Sequence, residues 1–305
     1  MTSQTSHTKQ RLIVIVGPTA SGKSALAVKL ARKLGGEVIS ADSRQVYKGL
    51  DLASGKITKR EMQGVRHYCL DLVSPKKNFT ADDYKKCFWN AVTTIQKHGK
   101  IPIVVGGTGF YIDAALGRMG TGGAPPNPAL RKQLSGKSAE ALFQMLEKLD
   151  HRRAHDIAAK NEVKNKVRLI RAIEISRNPI NVRHRVSNID TRVQRDSAPC
   201  VDAHEIRWLG IAHGGRALRK KIRARLEARM KAGMVAEIKR LHRSGVSWKR
   251  LDELGLEPRW IARYLQGKLT KEQMLYHLEN AIWRYSKWQM MWFKRNEAIR
   301  WQDAL

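Results

Sequence analysis

The chain has 305 residues, and its 58 lysines and arginines outnumber 27 aspartates and glutamates to give a formal net charge of +31. With 42% hydrophobic residues it can bury a core, which excludes wholesale disorder, and no apolar run is long enough for a membrane span. The polar start MTSQTSHTKQR carries no signal-peptide stretch, and the basic excess is spread along the chain rather than held in a tail, so a cytoplasmic protein with a broad basic surface and an RNA partner is expected.

Leu12 to Val16 is a short β-branched run predicted to be a buried parallel strand. Ser24 to Leu34 carries Leu26, Ala27, Leu30, Ala31 and Leu34 at helical spacing and stops at Gly35-Gly36. Glu37 to Ser40 reads as a second strand leading into Ala41-Asp42-Ser43, Asp82 to His98 as a helix, and Ile101 to Val105 as a further strand ending in Gly106-Gly107-Thr108. Such alternation implies a parallel sheet covered by helices, with ligands at the C-terminal edge of its strands. The loop GTGGAPPNP, residues 120–128, breaks the pattern. Residues 129–176 then read as helices without strands, 177–203 as irregular, and Trp208 to Ile211 as another strand. From Arg216 the chain is helical again, with Leu218, Ile222, Leu226, Met230, Met234 and Ile238 four apart. The expected class is α/β: a P-loop NTPase-like parallel-sheet core with C-terminal helices (1–119 and 201–305) and a helical insertion domain (120–200).

The aromatic residues Tyr276, Trp283, Tyr285, Trp288, Trp292, Phe293 and Trp301 alternate with basic ones. Their helical spacing reads mainly as core, with base stacking the lesser alternative. The cysteines Cys69, Cys87 and Cys200 form no CxxC pair, which argues against a disulfide framework or a Cys-rich zinc site and fits a reducing compartment.

Gly17-Pro18-Thr19-Ala20-Ser21-Gly22-Lys23-Ser24 fits G-x-x-x-x-G-K-[ST] between a predicted strand and a predicted helix. Backbone amides there surround a phosphate, Lys23 adds a point charge, and Ser24 can ligate Mg²⁺. An ordinary P-loop NTPase also places a carboxylate after an apolar strand, yet Ile101 to Val105 ends in Gly-Gly-Thr. The only acidic residue at a predicted strand end near the loop is Asp42, either a base or a turn-capping residue. A diphosphate site, one base and the Thr108 hydroxyl suit displacement of a diphosphate better than phosphoryl transfer.

Taken together, these residues resemble the tRNA dimethylallyltransferase (isopentenyltransferase) family. The resemblance rests on GPTASGKS; on Asp42-Ser43-Arg44-Gln45-Val46-Tyr47; on Gly106-Gly107-Thr108-Gly109-Phe110-Tyr111; on Arg168 to Glu174; on Ile222 to Arg225; on Gly255 to Arg259; and on Gln289 to Phe293, all in the family's order over residues 11–302. It implies transfer of a dimethylallyl group from dimethylallyl diphosphate to the exocyclic amine of the tRNA adenosine 3′ to the anticodon, with Mg²⁺, by a monomer. By the same resemblance Asp42 takes the amine proton, and Thr108 and Arg225 hold the departing diphosphate with the Thr19–Ser24 loop. Asp42, Ser43, Arg44, Gln45, Thr108, Arg131, Arg168 and Arg171 contact tRNA, and the insertion grips the anticodon stem-loop. Arg225 lies beside the Leu218–Leu226 stripe, and Arg229 shares its face. Departures from the family pattern fall at Lys164 to Val167 and at Trp288 and Met291, where Arg and Thr are expected. A P-loop small-molecule kinase and a basic RNA-binding protein with a vestigial P-loop are the competing readings.

Overall fold

A computed structural model describes residues 10–119, 124, 127–159, 161–178, 201 and 204–303. The strands are β1 (Gln10–Val16), β2 (Gly36–Ser40), β3 (His67–Tyr68), β4 (Ile101–Gly106), β5 (His204–Ala212) and β6 (Ile299–Asp303). They form one parallel sheet in the order β3-β2-β4-β1-β5-β6. The first helices are α1 (Lys23–Leu34), α2 (Lys59–Met62), α3 (Ala81–Lys97) and α4 (Gly109–Ala115). Alternate residues of the central strands face opposite sides. Ile13, Ile15, Val38, Ile103 and Val105 pack with Ala27 and Ala31 of α1. Leu12, Val14, Val16, Ile39 and Val104 pack with Phe88 and Val92 of α3 and Ile112 of α4. Helices on both faces explain why these strands are apolar throughout.

The chain divides into two compact units, Met1–Met119 with Ser197–Leu305, and Gly120–Asp196. In the second, α5 (Pro128–Ser135), α6 (Ala139–Leu149), α7 (His151–Ala159) and α8 (Lys166–Arg177) enclose Leu134, Leu142, Leu146, Leu169 and Ile173. The irregular stretch expected at 177–203 lies outside the described residues, apart from Arg177, Asn178 and Val201. The first unit ends in α9 (Gly215–Lys231), α10 (Met234–Arg243), α11 (Trp248–Glu253), α12 (Leu256–Leu265) and α13 (Lys271–Phe293). These pack on the Val46–Ala53 segment through Leu226, Ile238, Leu251, Ile261 and Leu278.

The structure departs from the sequence reading in four places. The apolar run from Leu218 to Ile238 is two helices, because Gly233 turns into the left-handed region at φ 99°. Strand β3, two residues long, is too short to show a period. Strand β6 pairs with β5 at Trp208↔Ile299 and Gly210↔Trp301, so Trp301 belongs to the sheet rather than to the helical run before it. Cys69 and Cys87, whose spacing argued against a disulfide framework, are joined as a disulfide between the segment after β3 and α3; packing of α3 across the sheet brings together cysteines whose spacing carries no signal. Among the described residues no helix is long and apolar enough to cross a membrane.

Glu174 organises the second unit. Its carboxylate accepts from Arg131 Nε (2.7 Å) and Nη2 (2.8 Å), from the Asn127 amide (2.8 Å) and from Arg171 Nη1 (3.0 Å). Burial by itself raises the Glu174 pKa, but the hydrogen bonds from Arg131, Asn127 and Arg171 outweigh it and hold the group at about 2. A depressed carboxylate stabilises the fold above its ordinary pKa and loses that contribution as pH falls toward the depressed value; the difference is worth about 3 kcal/mol. Hydrogen exchange of the α6 and α8 amides should therefore be faster in Glu174→Gln than in wild type at pH 6, with the gap narrowing from pH 4.5 toward pH 2.

Candidate active site

Because the sheet is parallel, Val16, Ser40, Gly106 and Ala212 all finish at one edge. The segments that follow them, Gly17–Ser24, Ala41–Gln45, Gly107–Thr108 and His213–Gly214, gather there. A cavity of about 330 Å³ opens among the first two and the end of β4 (Val105 and Gly106) and is closed by α9, α12 and α13; Thr108 stands behind this lining.

Helix α1 starts after Gly22, at φ 86°, with no side-chain cap and no acidic residue in its first turn, so its leading amides are left for an anion. Lys23 and Ser24 line the cavity, and Lys23 Nζ donates to the Pro18 carbonyl at 3.0 Å. Burial, and then the Arg225 charge, pull the Lys23 ammonium down to about 8 against a smaller opposing pull from Asp42. Gly17, Pro18, Ala20, Ser21 and Gly22 shape the loop, and Thr19 joins the lining.

Asp42 Oδ1 accepts the Arg44 amide at 2.8 Å, which is the turn role weighed from sequence. Its Oδ2 takes no hydrogen bond among the described residues, and the side chain lines the cavity, so the turn role leaves one oxygen for chemistry. Thr108 Oγ1 accepts the Ser43 amide at 3.0 Å. The two segments meet because β4 ends against the first: a Cβ on Gly106 would overlap the Ala41 carbonyl. Ser43, Arg44 and Gln45 line the same cavity, and Gln45 Nε2 donates to the Gly55 carbonyl at 3.3 Å.

Arg225 enters from α9 and donates from Nη2 to the Gly55 carbonyl at 3.0 Å. Burial and the neighbouring Arg229 lower its pKa. Arg229 is committed elsewhere, to Glu257 at 2.8 Å and the Leu52 carbonyl at 3.0 Å, which separates two arginines that share one helix face. Arg131 and Arg171 lie in the second unit on Glu174, and Arg168 pairs there with Glu162.

Three contributors were not singled out from sequence. Gln289 is buried on α13; its Oε1 accepts the Thr19 amide at 2.8 Å and its Nε2 donates to the Gly107 carbonyl at 2.9 Å, tying the phosphate loop to the β4 turn. Its place in the Gln289–Phe293 motif was the available signal. Glu237 is also buried and accepts the amides of Asp51, Leu52 and Ala53 at 3.1, 2.8 and 2.9 Å, so it anchors the turn that presents Gly55 to Arg225. Nothing in its helical spacing marks it. Tyr285 lines the cavity with its ring partly exposed, while desolvation of its hydroxyl end and then the Asp42 charge push that hydroxyl up to about 12. The aromatic run read as core is mostly otherwise: Phe293 is buried, whereas Tyr276, Tyr285, Trp288 and Trp301 are exposed.

A strand, a glycine-rich phosphate loop and an uncapped helix at the edge of a parallel sheet define a P-loop-type α/β protein. The family model described as IPP transferase matches residues 45–296. The chain is 39% identical over 297 residues to tRNA dimethylallyltransferase 1 of Geotalea uraniireducens, covering 96% of this chain and 92% of that one. It is also 39% identical over 288 residues to tRNA dimethylallyltransferase 2 of Shewanella sediminis, covering 94% and 89%. The crystal structure of the full-length tRNA isopentenylpyrophosphate transferase of Bacillus halodurans superposes with a TM-score of 0.69 at 30% identity, covering 97% and 90%. This chain belongs to the IPP transferase family, as its motifs led us to expect.

Two outcomes test the cradle. An anion placed beside Lys23 should restore its full charge, so calorimetric titration at pH 8 with sulfate, which carries no proton there, in buffers of different ionisation enthalpy, should show uptake of about half a proton; no uptake would separate Lys23 from the anion. Gly55 has φ 60°, and a Cβ there would strike the Arg225 guanidinium. Gly55→Ala should therefore weaken diphosphate binding about tenfold and cost about 1–2 kcal/mol of stability by denaturant melting.

Proposed function

We propose that this chain is a tRNA dimethylallyltransferase. It moves a dimethylallyl group from dimethylallyl diphosphate to the exocyclic N6 amine of the adenosine 3′ to the anticodon, and releases diphosphate. The observation that carries the reading is the convergence in one cavity of an uncapped phosphate loop, Lys23 and Arg225 with a carboxylate, Asp42, that keeps one oxygen unpaired.

The donor diphosphate occupies the Thr19–Ser24 amides, with Lys23 and Arg225 neutralising its charge. The adenine amine attacks C1 of the allyl group; the C1–N6 bond forms as the C1–O bond breaks, and the electron pair leaves on the diphosphate. Thr108 and Arg225 stabilise that developing charge, which favours the transition state over the ground state. Asp42 Oδ2 takes the N6 proton, while Oδ1 stays on the Arg44 amide and holds the carboxylate in place. The target base has to leave the anticodon-loop stack to reach the cavity, at a cost of a few kcal/mol that phosphate contacts offset.

Mg²⁺ suits the donor set. Ser24 supplies one hydroxyl, and among the described residues no cluster of three carboxylates, histidines or cysteines competes for a metal. A magnesium held by one hydroxyl, water and substrate phosphates fits the ion's coordination habits, and when bound it adds charge stabilisation on the diphosphate. Arg131, Arg168 and Arg171, with the rest of the 120–200 insertion, contact the anticodon stem-loop in this reading, and Ser43, Arg44 and Gln45 contact the target base. In this reading the protein acts as a monomer in the cytoplasm, where its RNA substrate is found.

Labelled dimethylallyl diphosphate, unmodified tRNA and Mg²⁺ should give labelled adenosine next to the anticodon. Asp42→Ala should lower kcat by about 10²–10⁴-fold with RNA affinity largely kept. ATP turnover without transfer of label would instead identify a kinase.

A further inference from the structure

Most tryptophans of this chain have partners. Trp89 meets Phe88, Trp248 stacks on His242, Trp260 on His277, Trp283 lies under Lys287, and Trp292 contacts Phe110 and Arg295. Trp288 is different. Its side chain is 67% exposed on α13, beside Met291 at 66%, and among the described residues it makes no ring contact, cation contact or hydrogen bond. Leaving so much of an indole in water forgoes the stabilisation its burial would bring.

Its surroundings point to the occupant. Helical geometry sets Arg284 one turn before Trp288 and Met291 one turn after it, along one face of α13; Arg295 lies beyond the helix end, over the Trp292 ring. From Ala281 to Arg295 the chain contains Arg284, Lys287, Lys294 and Arg295 and no Asp or Glu. Tyr285 and Gln289, three residues before and one after, line the cavity that holds Asp42 and Lys23. An exposed indole with a cation one turn away, next in sequence to cavity-lining residues, matches a nucleobase and its phosphate; a protein partner would call for a wider apolar patch.

We propose that Trp288 is a stacking platform for the nucleobase flanking the target adenosine, with Arg284 holding an adjoining phosphate. The proposal rests on the tRNA-prenylation reading and adds to it a positioning residue that acts through the RNA strand. With the neighbouring nucleotide stacked on the indole, the target base stays unstacked from its own strand and directed into the cavity.

The test uses the full-length protein and an anticodon stem-loop RNA carrying 2-aminopurine on either side of the target adenosine. Wild type should quench one of the two probes on binding. Trp288→Ala should abolish that quenching, weaken RNA binding about tenfold and raise the KM for RNA by a similar factor, with a much smaller change in kcat at saturating RNA. Trp288→Phe should restore most of both. The dependence of affinity on salt should be unchanged in Trp288→Ala but shallower by about one ion in Arg284→Ala. Equal quenching and affinity in wild type and Trp288→Ala would overturn the proposal. So would a salt slope that falls with Trp288→Ala, or wild-type self-association in sedimentation that this substitution removes. These binding readouts need no turnover, so absence of prenyl transfer by wild type would count against the enzymatic reading while quenching still decides the platform.

Discussion

The parallel register of β1 with β4, which sets Val16 opposite Gly106, is the constraint from which the site follows. It ends the two strands together, so that the phosphate loop and the Gly107–Thr108 turn emerge side by side. The register of β2 with β4 then sets Ser40 opposite Val105, and the Ala41 amide continues that pairing by donating to the Val105 carbonyl at 2.8 Å. The Asp42 turn is thereby pressed against Gly106. One buried side chain, Gln289, bridges the phosphate loop and the β4 turn, so α13 acts as part of the site's wall and not merely as cover for the sheet.

The electrostatics of the cavity are those of a site built for an anion. Lys23 and Arg225 share one small space, and after burial the Arg225 charge lowers the Lys23 pKa. That repulsion is relieved when negative charge arrives between them, which favours binding of a diphosphate. Arg229, on the same face, pairs with Glu257 and donates to two backbone carbonyls, and serves to hold the 51–55 turn. Glu237 grips that turn from the other side. Two arginines one turn apart have thus been given different work by the company each keeps.

The second unit spends its charges differently. Arg131 and Arg171 converge on one buried carboxylate, and a satisfied cluster of this kind fixes how α5 and α8 meet. Their side chains remain partly open to solvent (47% and 27%), so the residues that fix the unit also contribute to its basic surface. A basic surface and an internal ion-pair network draw here on the same residues.

The sequence by itself determined the α/β class, the phosphate loop and the family, because these depend on local order: β-branched runs ending in glycine, helical spacing of leucine and alanine, and short motifs whose chemistry lies within a few residues. Asp42 was legible for the same reason, as the acidic residue at a strand end. Tertiary structure alone decided what distant segments do to one another. Arg225, singled out in the sequence by the family motif alone, is set apart physically from Arg229 by Gly55 and Glu257, and the roles of Gln289 and Glu237 come from partners about 270 and 185 residues away in the chain. The disulfide between Cys69 and Cys87, the two-residue β3 and the edge strand β6 went unread because each is stabilised by a neighbour across the sheet or on a packed helix, and pairing across the fold leaves no period in the chain that takes part in it.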